Sequence, residues 1–286
     1  DVESRGLGDV YKRQTLYKEK EYDGSPLTNP SFEKEAGTEA PGQELQVYVS
    51  GSITNVGRTP NTVASYRVVL AGTEVSDQTA KDYKGNYDIS YTEEDLVVKA
   101  AAGNRVSVEG QEVTYDGTAH GLKSASAEKA GSVLQYSTNG TEYHEEAPTF
   151  TEAGSYTVYV KATNPNYQDT EAVKAVVVIK PREVTIKVDS KSKTYGTEDP
   201  KLTGNYEELL SSGAVVKAGD LGDIEYARAA GDETKNSVGD EISLTAKYTE
   251  NGNYTVEVIP GTLTITAAAG NRVSVEGQEV TYDGTA

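Results

Sequence analysis

The stretch AAAGNRVSVEGQEVTYDGTA occurs twice in this chain, as residues 100–119 and, letter for letter, as residues 267–286. Identity over 20 residues indicates an internal duplication, and the two copies are 167 residues apart. A unit of that length is too long for one turn of a solenoid, but it fits two small domains of about 80 residues each. The duplication therefore predicts a chain of small modules.

A weaker pair of motifs indicates where each module begins and ends. The opening motifs are Tyr22-Asp23-Gly24, Tyr115-Asp116-Gly117, Tyr195-Gly196-Thr197 and Tyr282-Asp283-Gly284, and the closing pairs are Asn86-Tyr87, Asn166-Tyr167 and Asn253-Tyr254. The first and third pairs are again 167 residues apart. We therefore predict modules of one type at residues 15–99 and 182–266, a second type at 100–181, and the truncated start of another such module at 267–286. The first and third modules should share a topology that the second does not.

The predicted junctions between modules are short. The first is Ala100-Ala101-Ala102-Gly103 and the second is Lys180-Pro181-Arg182, in which proline fixes φ and has no N–H to donate. Neither resembles a long flexible Gly/Ser linker. We therefore expect neighbouring modules to be restrained in angle and to form an elongated string.

The composition excludes several classes of protein. With 27 Lys and Arg against 45 Asp and Glu, the net charge is −18 and the pI is near 4.6, which excludes binding to nucleic acid or an anionic membrane by charge. The absence of cysteine excludes disulfide scaffolds and thiol nucleophiles. A hydrophobic content of 36% predicts thin cores. Because no apolar run reaches about 18 residues, no membrane insertion is expected.

Alternating hydrophobicity predicts a mainly β fold, with small Ig-like β-sandwich or β-grasp-like modules. The alternating apolar sets are Leu45/Val47/Val49, Tyr156/Val158/Val160/Ala162, Val184/Ile186/Val188 and Tyr254/Val256/Val258. Within residues 135–143, Asn139-Gly140 predicts a hairpin with a type I′ turn between two strands. Residues 199–213, which contain Leu209 and Leu210, are the one segment that could form a helical turn or two.

No group of residues predicts catalysis, a metal site or a cofactor site. His120 and His144 are the two histidines, and they are predicted to be solvated loop residues, since a zinc site would need a further nitrogen or sulfur ligand. Asp220-Leu221-Gly222-Asp223 matches no calcium-binding spacing and is interpreted as a solvated turn. Isopeptide cross-links between lysine and asparagine or aspartate stay open, because they are recognisable only in three dimensions.

The 20 tyrosines, against two phenylalanines and no tryptophan, have two interpretations. Exposed aromatic faces stack on sugar rings, which would favour glycan recognition. However, the tyrosines recur at equivalent module positions, namely Tyr22, Tyr115 and Tyr195, and Tyr87, Tyr167 and Tyr254. A ring can pack there in a thin core while its hydroxyl reaches a backbone group or water. We therefore favour packing over recognition.

Residues 182–266 closely resemble the MBG repeat domain of the YGX type. The matching segments are Lys193-Thr194-Tyr195-Gly196, Asp199-Pro200, Leu202-Thr203, Gly219-Asp220-Leu221, Arg228-Ala229-Ala230-Gly231, Val238-Gly239, Asn253-Tyr254 and Gly261-Thr262-Leu263-Thr264-Ile265-Thr266. Residues 15–99 resemble the same group through Tyr22-Asp23-Gly24, Asn55-Val56-Gly57 and Asn86-Tyr87, but they lack the Asp-Pro and Arg-Ala-Ala-Gly segments. Residues 100–181 resemble bacterial Ig-like repeats, with Tyr136 to Gly140 and Ala153-Gly154-Ser155-Tyr156-Thr157-Val158.

Residues 1–14, DVESRGLGDVYKRQ, resemble translated sequencing-adapter sequence. They lack the alternation of the modules, so we predict a non-native leader that takes no part in the fold. The sequence is interpreted as a metagenomic fragment whose export signal and anchor lie at its missing ends.

These resemblances imply a non-catalytic repeat, a stalk or spacer, of a secreted bacterial cell-surface adhesin-like protein. Two alternatives are a glycan- or mucin-binding adhesive module and the accessory region of a surface glycoside hydrolase. The expected partners are the neighbouring repeats of the same chain and, in the first alternative, host glycan or mucin. We expect a monomer with no cofactor and no affinity for nucleic acid.

Overall fold

The computed structural model describes residues 10–206, 219–270 and 273–284. Within these residues the regular structure is almost entirely β, and the one helical element is a short 3₁₀ turn at Lys84–Asn86. The mainly β fold class predicted from the sequence is therefore confirmed. Contacts divide the chain into two units: the first comprises the residues up to Glu109 with Lys123–Pro148 and Val158–Ala175, and the second comprises Gly110–Leu122, Thr149–Thr157 and the residues from Val176 onward.

The strands follow the predicted modules in order. Residues 10–99 form β1 (Val10–Thr15), β2 (Lys18–Glu21), β3 (Phe32–Ala36), β4 (Gln43–Val49), β5 (Gly57–Pro60), β6 (Val63–Leu70), β7 (Asp88–Thr92) and β8 (Asp95–Lys99). Residues 100–181 form β9 (Val106–Glu109), β10 (Gln111–Thr114), β11 (Ser124–Ala127), β12 (Val133–Ser137), β13 (Gly154–Thr163) and β14 (Val173–Lys180). The described part of 182–266 forms β15 (Arg182–Val188), β16 (Lys191–Thr194), β17 (Gly204–Asn205), β18 (Glu225–Arg228), β19 (Ile242–Lys247), β20 (Tyr254–Ile259) and β21 (Gly261–Thr266).

In the first unit, residues 10–99 form three small sheets with the strand orders β3-β1-β7, β2-β8-β5 and β4-β6. The central strand of the first sheet, β1, pairs antiparallel with β3 and parallel with β7. The exclusion of residues 1–14 from the fold is therefore wrong for residues 10–14. Sheet pairing uses backbone N–H and C=O groups, so a segment without hydrophobic alternation can still take a central position.

The core under the β2-β8-β5 sheet is small. Leu27, Leu96 and Val98 are buried together, and Tyr22 and Ile53 pack against them half-buried. The side chains of Leu96 and Val98 lie on the same face of β8 because strand residues two apart point the same way. The tyrosine of the first opening motif is therefore anchored on a hydrophobic cluster.

In the second unit, the described part of residues 182–266 forms two sheets, ordered β17-β15-β20 and β16-β21-β19-β18. Val184, Ile186 and Val188 are buried on alternate positions of β15, as their alternation predicts. Strands β15 and β19 contact each other, and β19 and β21 bury further isoleucines and leucines. Residues 182–266 are therefore a β-sandwich built on two inner faces.

Residues 10–99 and the described part of 182–266 share a strand pairing, in which β1 begins before the predicted start of the first module at residue 15. Strand β1 pairs in parallel with β7, and β15 pairs in parallel with β20. In residues 100–181, all of which are described, the corresponding parallel pairing is a single isolated bridge between Ala101 and Tyr167, and the first strand β9 pairs with β11. All three segments share a second parallel pair, namely β2–β8, β10–β14 and β16–β21. The division into two module types stays a prediction, as do the module boundaries.

The chain reverses at Asn139-Gly140 as predicted, but the type I′ turn predicted there is wrong. A type I′ turn needs positive φ at both central residues, but only Gly140 has it, at 78°, and no described non-glycine residue does. The chain reverses through a wider loop, in which Tyr136 and His144 form an isolated antiparallel bridge. The Ser137 hydroxyl accepts from the Gly140 N–H at 2.9 Å, and the Asn139 side chain accepts from the N–H groups of the two residues after Gly140. These side-chain acceptors stabilise the longer loop.

Two other sequence predictions have mixed outcomes. All seven residues of β4 are half-buried, so the alternation of Leu45, Val47 and Val49 does not produce one buried face there. Strand β4 pairs only with β6 in a two-stranded sheet, which leaves both of its faces partly covered. Within residues 199–206 the structure contains the short strand β17 and no helical turn. The rest of that predicted helical segment, including Leu209 and Leu210, lies outside the described residues.

The two copies of the duplicated stretch have different structures. In the first copy Val106 and Val108 lie in β9 and are half-buried. Their counterparts Val273 and Val275 are 90% and 89% exposed, and residues 273–284, the described part of the second copy after Gly270, contain no strand. Identical sequences thus form strands only where the remaining strands of the module are present to pair with them.

We predict that the two copies differ sharply in amide hydrogen exchange. The amide of Ser274 should exchange near the intrinsic rate, whereas that of Ser107, which faces β11 opposite Ser126, should be protected by the pairing of β9 with β11. Mass spectrometry or NMR on the whole chain measures both in one sample, so each copy is the control for the other. Equal protection of the two copies would contradict this prediction.

Candidate functional site

The first three opening-motif tyrosines each follow the strand that pairs in parallel with the last strand of the predicted module. The N–H groups of Tyr22, Tyr115 and Tyr195 donate to the carbonyl oxygens of Lys99, Lys180 and Thr266, at 2.9, 2.8 and 2.8 Å. The turns then continue through glycines with positive φ, namely Gly24, Gly117 and Gly196. Parallel strands end at the same edge of a sheet. Each tyrosine therefore lies beside the point where the chain leaves its module.

The second and third Asn-Tyr pairs lie in turns of one kind, Asn-x-Asn-Tyr. In Asn164-Pro165-Asn166-Tyr167 the first asparagine accepts, through Oδ1, the N–H of the second at 2.9 Å. In Asn251-Gly252-Asn253-Tyr254 the same bond is 3.0 Å long. This side-chain-to-backbone bond is an Asx turn, which replaces a backbone turn and fixes the residue two positions later. The second asparagine and its tyrosine are therefore presented in a defined orientation.

Each Asn-x-Asn-Tyr turn binds residues of the preceding predicted module and also a residue at the start of its own module, Ala101 or Arg182. Joint one consists of the turn 164–167 with Tyr22, Asn55, Val56 and Ala101, and all of these residues lie in the first unit. Joint two consists of the turn 251–254 with Tyr115, Glu152, Ala153 and Arg182, and all of these residues lie in the second unit. In joint one the carbonyl oxygen of Asn166 accepts from the N–H of Ala101 at 3.1 Å. In joint two the carbonyl oxygen of Asn253 accepts from the N–H of Arg182 at 2.9 Å.

The side-chain amide of the second asparagine makes two further bonds in each joint. Asn166 Oδ1 accepts from the N–H of Val56 at 3.0 Å, while its Nδ2 donates to Asn55 Oδ1 at 3.3 Å. Asn253 Oδ1 accepts from the N–H of Ala153 at 2.7 Å, while its Nδ2 donates to Glu152 Oε2. Each amide thus accepts from the backbone and donates to the side chain of consecutive residues. These are residues 55–56 in joint one and 152–153 in joint two.

An aromatic pair completes each joint. The rings of Tyr22 and Tyr167 pack edge to face with centroids 5.5 Å apart and an interplanar angle of 81°. Tyr115 and Tyr254 pack with centroids 5.4 Å apart at the same angle. Both arrangements are the T-shaped geometry that aromatic rings favour. The two joints therefore repeat the same hydrogen bonds and the same ring geometry with different neighbouring residues.

Joint two is the more deeply buried of the two. Tyr115 is only 3% exposed, and burial, reinforced by the nearby carboxylates of Asp220 and Glu152, raises the pKa of its phenol. The hydroxyl of Tyr254 donates to Asp220 Oδ2 at 2.8 Å. The interpretation of Asp220-Leu221-Gly222-Asp223 as a solvated turn is therefore wrong for its first two residues. Asp220 accepts from the joint tyrosine, and Leu221 is buried.

The sequence indicated part of these joints. It predicted that the recurring tyrosines pack, which holds for Tyr22, Tyr115, Tyr167 and Tyr254. It did not predict that an opening tyrosine pairs with the Asn-Tyr of the following module. The sequence feature that could have indicated the joints is an additional asparagine, Asn164 or Asn251, two positions before the asparagine of the Asn-Tyr pair. Tyr195 departs from the predicted packing, because 53% of its surface is exposed.

The second unit also contains an open polar cleft of about 690 Å³. It is lined by Lys193, Gly196, Thr197, Glu198, Asp199, Ala227, Arg228, Glu233, Thr234, Asn236 and Lys247. Arg228 binds Asp199 through two bonds, Nε to Oδ2 at 2.6 Å and Nη2 to Oδ1 at 2.7 Å. Lys193, whose side chain is 5% exposed, donates to Asp199 Oδ1 at 2.8 Å. The guanidinium of Arg228 lowers the pKa of Asp199 to about 2.

This geometry does not suit Asp199 to catalysis. A general base works best when its pKa lies near the operating pH, whereas Asp199 is held ionised by two cations that occupy both oxygens. The Lys193–Asp199 pair does not fit an isopeptide precursor either. Amide formation needs a neutral amine and a protonated acid, and Arg228 stabilises the carboxylate. Arg228 also donates to the carbonyl oxygens of Asp232 and Lys235, so the cluster holds that loop in place.

The two histidines lie in different settings. His120 Nε2 lies 2.9 Å from Asp116 Oδ1, and its side chain is only 15% exposed, so it is not a solvated loop residue. His144 is exposed and pairs through its backbone with Tyr136. Among the described residues, no three or more His, Cys, Asp or Glu side chains are grouped so that they could hold a metal ion. The same residues contain no helix long and apolar enough to cross a membrane.

We predict that Asn253→Ala destabilises the protein by about 1–3 kcal/mol, because the N–H of Ala153 and the carboxylate of Glu152 lose their partner. Chemical denaturation measures the change. Asn236→Ala, the same substitution at an exposed asparagine of the cleft, is the control and should change stability little. Asn253→Asp keeps the acceptor but places a carboxylate beside Glu152. Its destabilisation should be relieved by Glu152→Gln, and no relief would contradict the geometry of the joint.

We predict a pH dependence from Asp199. The folded-state pKa of about 2 lies below the usual 3.8, so the ionised carboxylate contributes stability that is fully present above pH 3.8 and lost as the pH falls towards 2. Arg228→Gln should return the pKa of Asp199 towards 3.8, as measured by carboxyl NMR titration. Asp116 is the control, because Thr118 and then His120 lower its pKa to about 2. An unchanged Asp199 pKa in the variant would rule out the guanidinium as the cause.

Comparison with known structures gives weak similarities. The first three domains of Drosophila N-cadherin match at 13% identity over 89% of this chain and 99% of that chain, with a TM-score of 0.27. The fibronectin(III)-like modules of Clostridium thermocellum CbhA match at 12% identity over 60% of this chain and all of that chain, with a TM-score of 0.23. Scores this low support no inference, and the fold rests on the strand pairings above. Among curated proteins, none matches the chain.

A family model supplies the firm match. Residues 184–264 match the MBG domain of the YGX type. They include most of the β-sandwich of the second unit, the cleft around Asp199 and the Asn-x-Asn-Tyr turn of joint two. The resemblance predicted for residues 182–266 is therefore confirmed. Residues 184–264 are therefore similar to the MBG domain of the YGX type.

Proposed function

We propose that this chain is a non-catalytic stalk or spacer segment of a bacterial cell-surface adhesin-like protein, in which repeated joints hold successive modules at fixed angles. The observation that carries the proposal is the double occurrence of one joint. The ring centroids are 5.5 and 5.4 Å apart, the interplanar angle is 81° in both, and the asparagine amide makes the same two bonds. A spacer needs such restraint between modules, whereas an enzyme needs convergent reactive groups.

The linkers support the same proposal. Strand β14 ends at Lys180 and β15 begins at Arg182, so Pro181 alone separates them. A one-residue connection leaves little freedom for bending. The side chain of Arg182 adds a bond from Nε to the carbonyl oxygen of Tyr115 at 2.7 Å. MBG domains occur in surface proteins, and a repeated module with rigid junctions suits projection from a surface.

The cleft favours neither alternative function. The residues described as its lining include no aromatic ring on which a sugar could stack, and its central carboxylate is neutralised by two cations. A glycan- or mucin-binding module and a glycoside hydrolase accessory region therefore remain outcomes for experiment to test.

We predict that breaking joint one uncouples residues 15–99 from residues 100–181. In the native chain, amide ¹⁵N relaxation should give the same rotational correlation time for both segments. In the variant Tyr22→Ala/Asn166→Ala, which removes the ring pair and the amide bonds, the two times should diverge. Tyr17→Ala, a change at an exposed tyrosine, is the control. Independent tumbling in the native chain would overturn the spacer proposal.

We also predict that the chain has no hydrolytic activity and no saturable affinity for mucin or a glycan array. Saturable glycan binding that is lost on replacing one exposed tyrosine would favour the adhesive alternative. Turnover of a glycoside that is abolished by one carboxylate substitution would overturn the non-catalytic interpretation.

A further inference from the structure

The third opening tyrosine has the backbone setting of the first two but not their aromatic partner. The N–H of Tyr195 bonds to the carbonyl oxygen of Thr266, as those of Tyr22 and Tyr115 bond to Lys99 and Lys180. Yet Tyr195 is 53% exposed, and among the described residues no ring packs against it. The tyrosine half of a joint is thus present at this end of residues 182–266.

The other elements of that half-joint also have counterparts in the chain. In joints one and two the backbone donor to the asparagine carbonyl, Ala101 or Arg182, stands two residues after the last residue of the closing strand. Ala268 occupies that position after Thr266, and it is exposed. Ser237-Val238-Gly239 lies in the loop before β19, with two residues between Gly239 and the strand, whereas Gly57 and Gly154 of the corresponding segments 55–57 and 152–154 are the first residues of β5 and β13. Val238 is exposed as well.

We propose that Tyr195, Ser237–Gly239 and Ala268, here named the open joint face, bind the Asn-x-Asn-Tyr turn of a following module with the sequence of residues 100–181. This inference rests on the proposed function, because it applies the same joint to a third position. The asparagine carbonyl would accept from the N–H of Ala268. Its side-chain amide would bind the 237–239 loop, and its tyrosine would pack edge to face on Tyr195.

Two observations within this chain indicate which module would bind at the open joint face. Residues 267–286 repeat residues 100–119, and in the first copy these letters open the module whose Asn164–Tyr167 turn fills joint one. Joint one closes on residues 10–99, which share with the described part of 182–266 both parallel strand pairs. The same succession of module types therefore brings the same turn to the open joint face. Asn86-Tyr87 of a second copy of the chain is the competing occupant.

The test extends the whole chain. Residues 120–181 are appended after residue 286, which completes a second copy of the module whose first copy folds at residues 100–181. The nitration rate of Tyr195 by tetranitromethane, followed by peptide mass spectrometry, should fall by roughly 3- to 10-fold, the factor that one aromatic pair supplies. Replacing the asparagine and tyrosine of the appended turn by alanine should restore the original rate. Tyr17, which is 48% exposed, should react equally in all three chains.

A second variant separates docking from folding. Tyr195→Ala should leave the melting temperature of the unextended chain unchanged, because the ring is largely exposed, but it should lower that of the appended module. If the appended module shows protected amides while Tyr195 stays reactive, the inference is overturned, and joints one and two still support the spacer proposal. Failure of the appended module to fold would also overturn it, since the same sequence folds at 100–181. Concentration-dependent protection of Tyr195 in the unextended chain would assign the face to a second copy instead.

Discussion

Parallel pairing between an early strand and the last strand of each module is the constraint on which the joints depend. Because β2 runs parallel to β8, and β10 to β14, the end of the early strand and the exit of the chain lie at one edge of the sheet. The residue after the early strand therefore stands next to the start of the following module. An antiparallel pair would place it at the opposite end. Tyrosine at this position reaches the neighbour without a long loop, and this explains how a one-residue linker such as Pro181 can coexist with an extensive contact.

The asparagine amide gives the contact its specificity. It is an uncharged group that accepts and donates in one plane, so it can bind a backbone N–H and a side-chain oxygen of consecutive residues at once. Aspartate would lose the donor, and leucine of similar size would lose both groups. The Asx turn formed by Asn164 or Asn251 removes the backbone freedom that such a two-point contact would otherwise have to restrict. Because the Asx turn is rigid before the contact forms, the same joint forms at two places with different flanking residues. No single strong bond is needed for this.

More of the fold than of the candidate site could be predicted from the sequence. Strands with strong alternation, such as Val184–Val188, could be predicted because burial of one face follows directly from a period of two. The wide loop at Asn139 could not, because the choice between a two-residue turn and a longer loop depends on Ser137 and on the partner that β12 finds in β13. Likewise β1 escaped prediction, since its pairing is made by the backbone. The ring pairs escaped for a further reason: each joins residues more than 130 positions apart in sequence, which a pattern read along the chain cannot connect.

The chemistry of the joints also suits a chain of strong negative charge. Modules with a total charge of −18 repel one another, and screening by salt weakens that repulsion. Joints built from ion pairs would weaken under the same conditions, so the balance of contact and repulsion would shift with ionic strength. Here the ring pair, the amide-to-backbone bond and the carbonyl-to-backbone bond involve no formal charge, and Glu152 is the one ionisable acceptor that the asparagine amides bind. The bonds that involve a formal charge, from Arg182 and to Asp220 and Glu152, are confined to joint two, so we expect salt to relax the repulsion between modules while it weakens the contacts of joint one least.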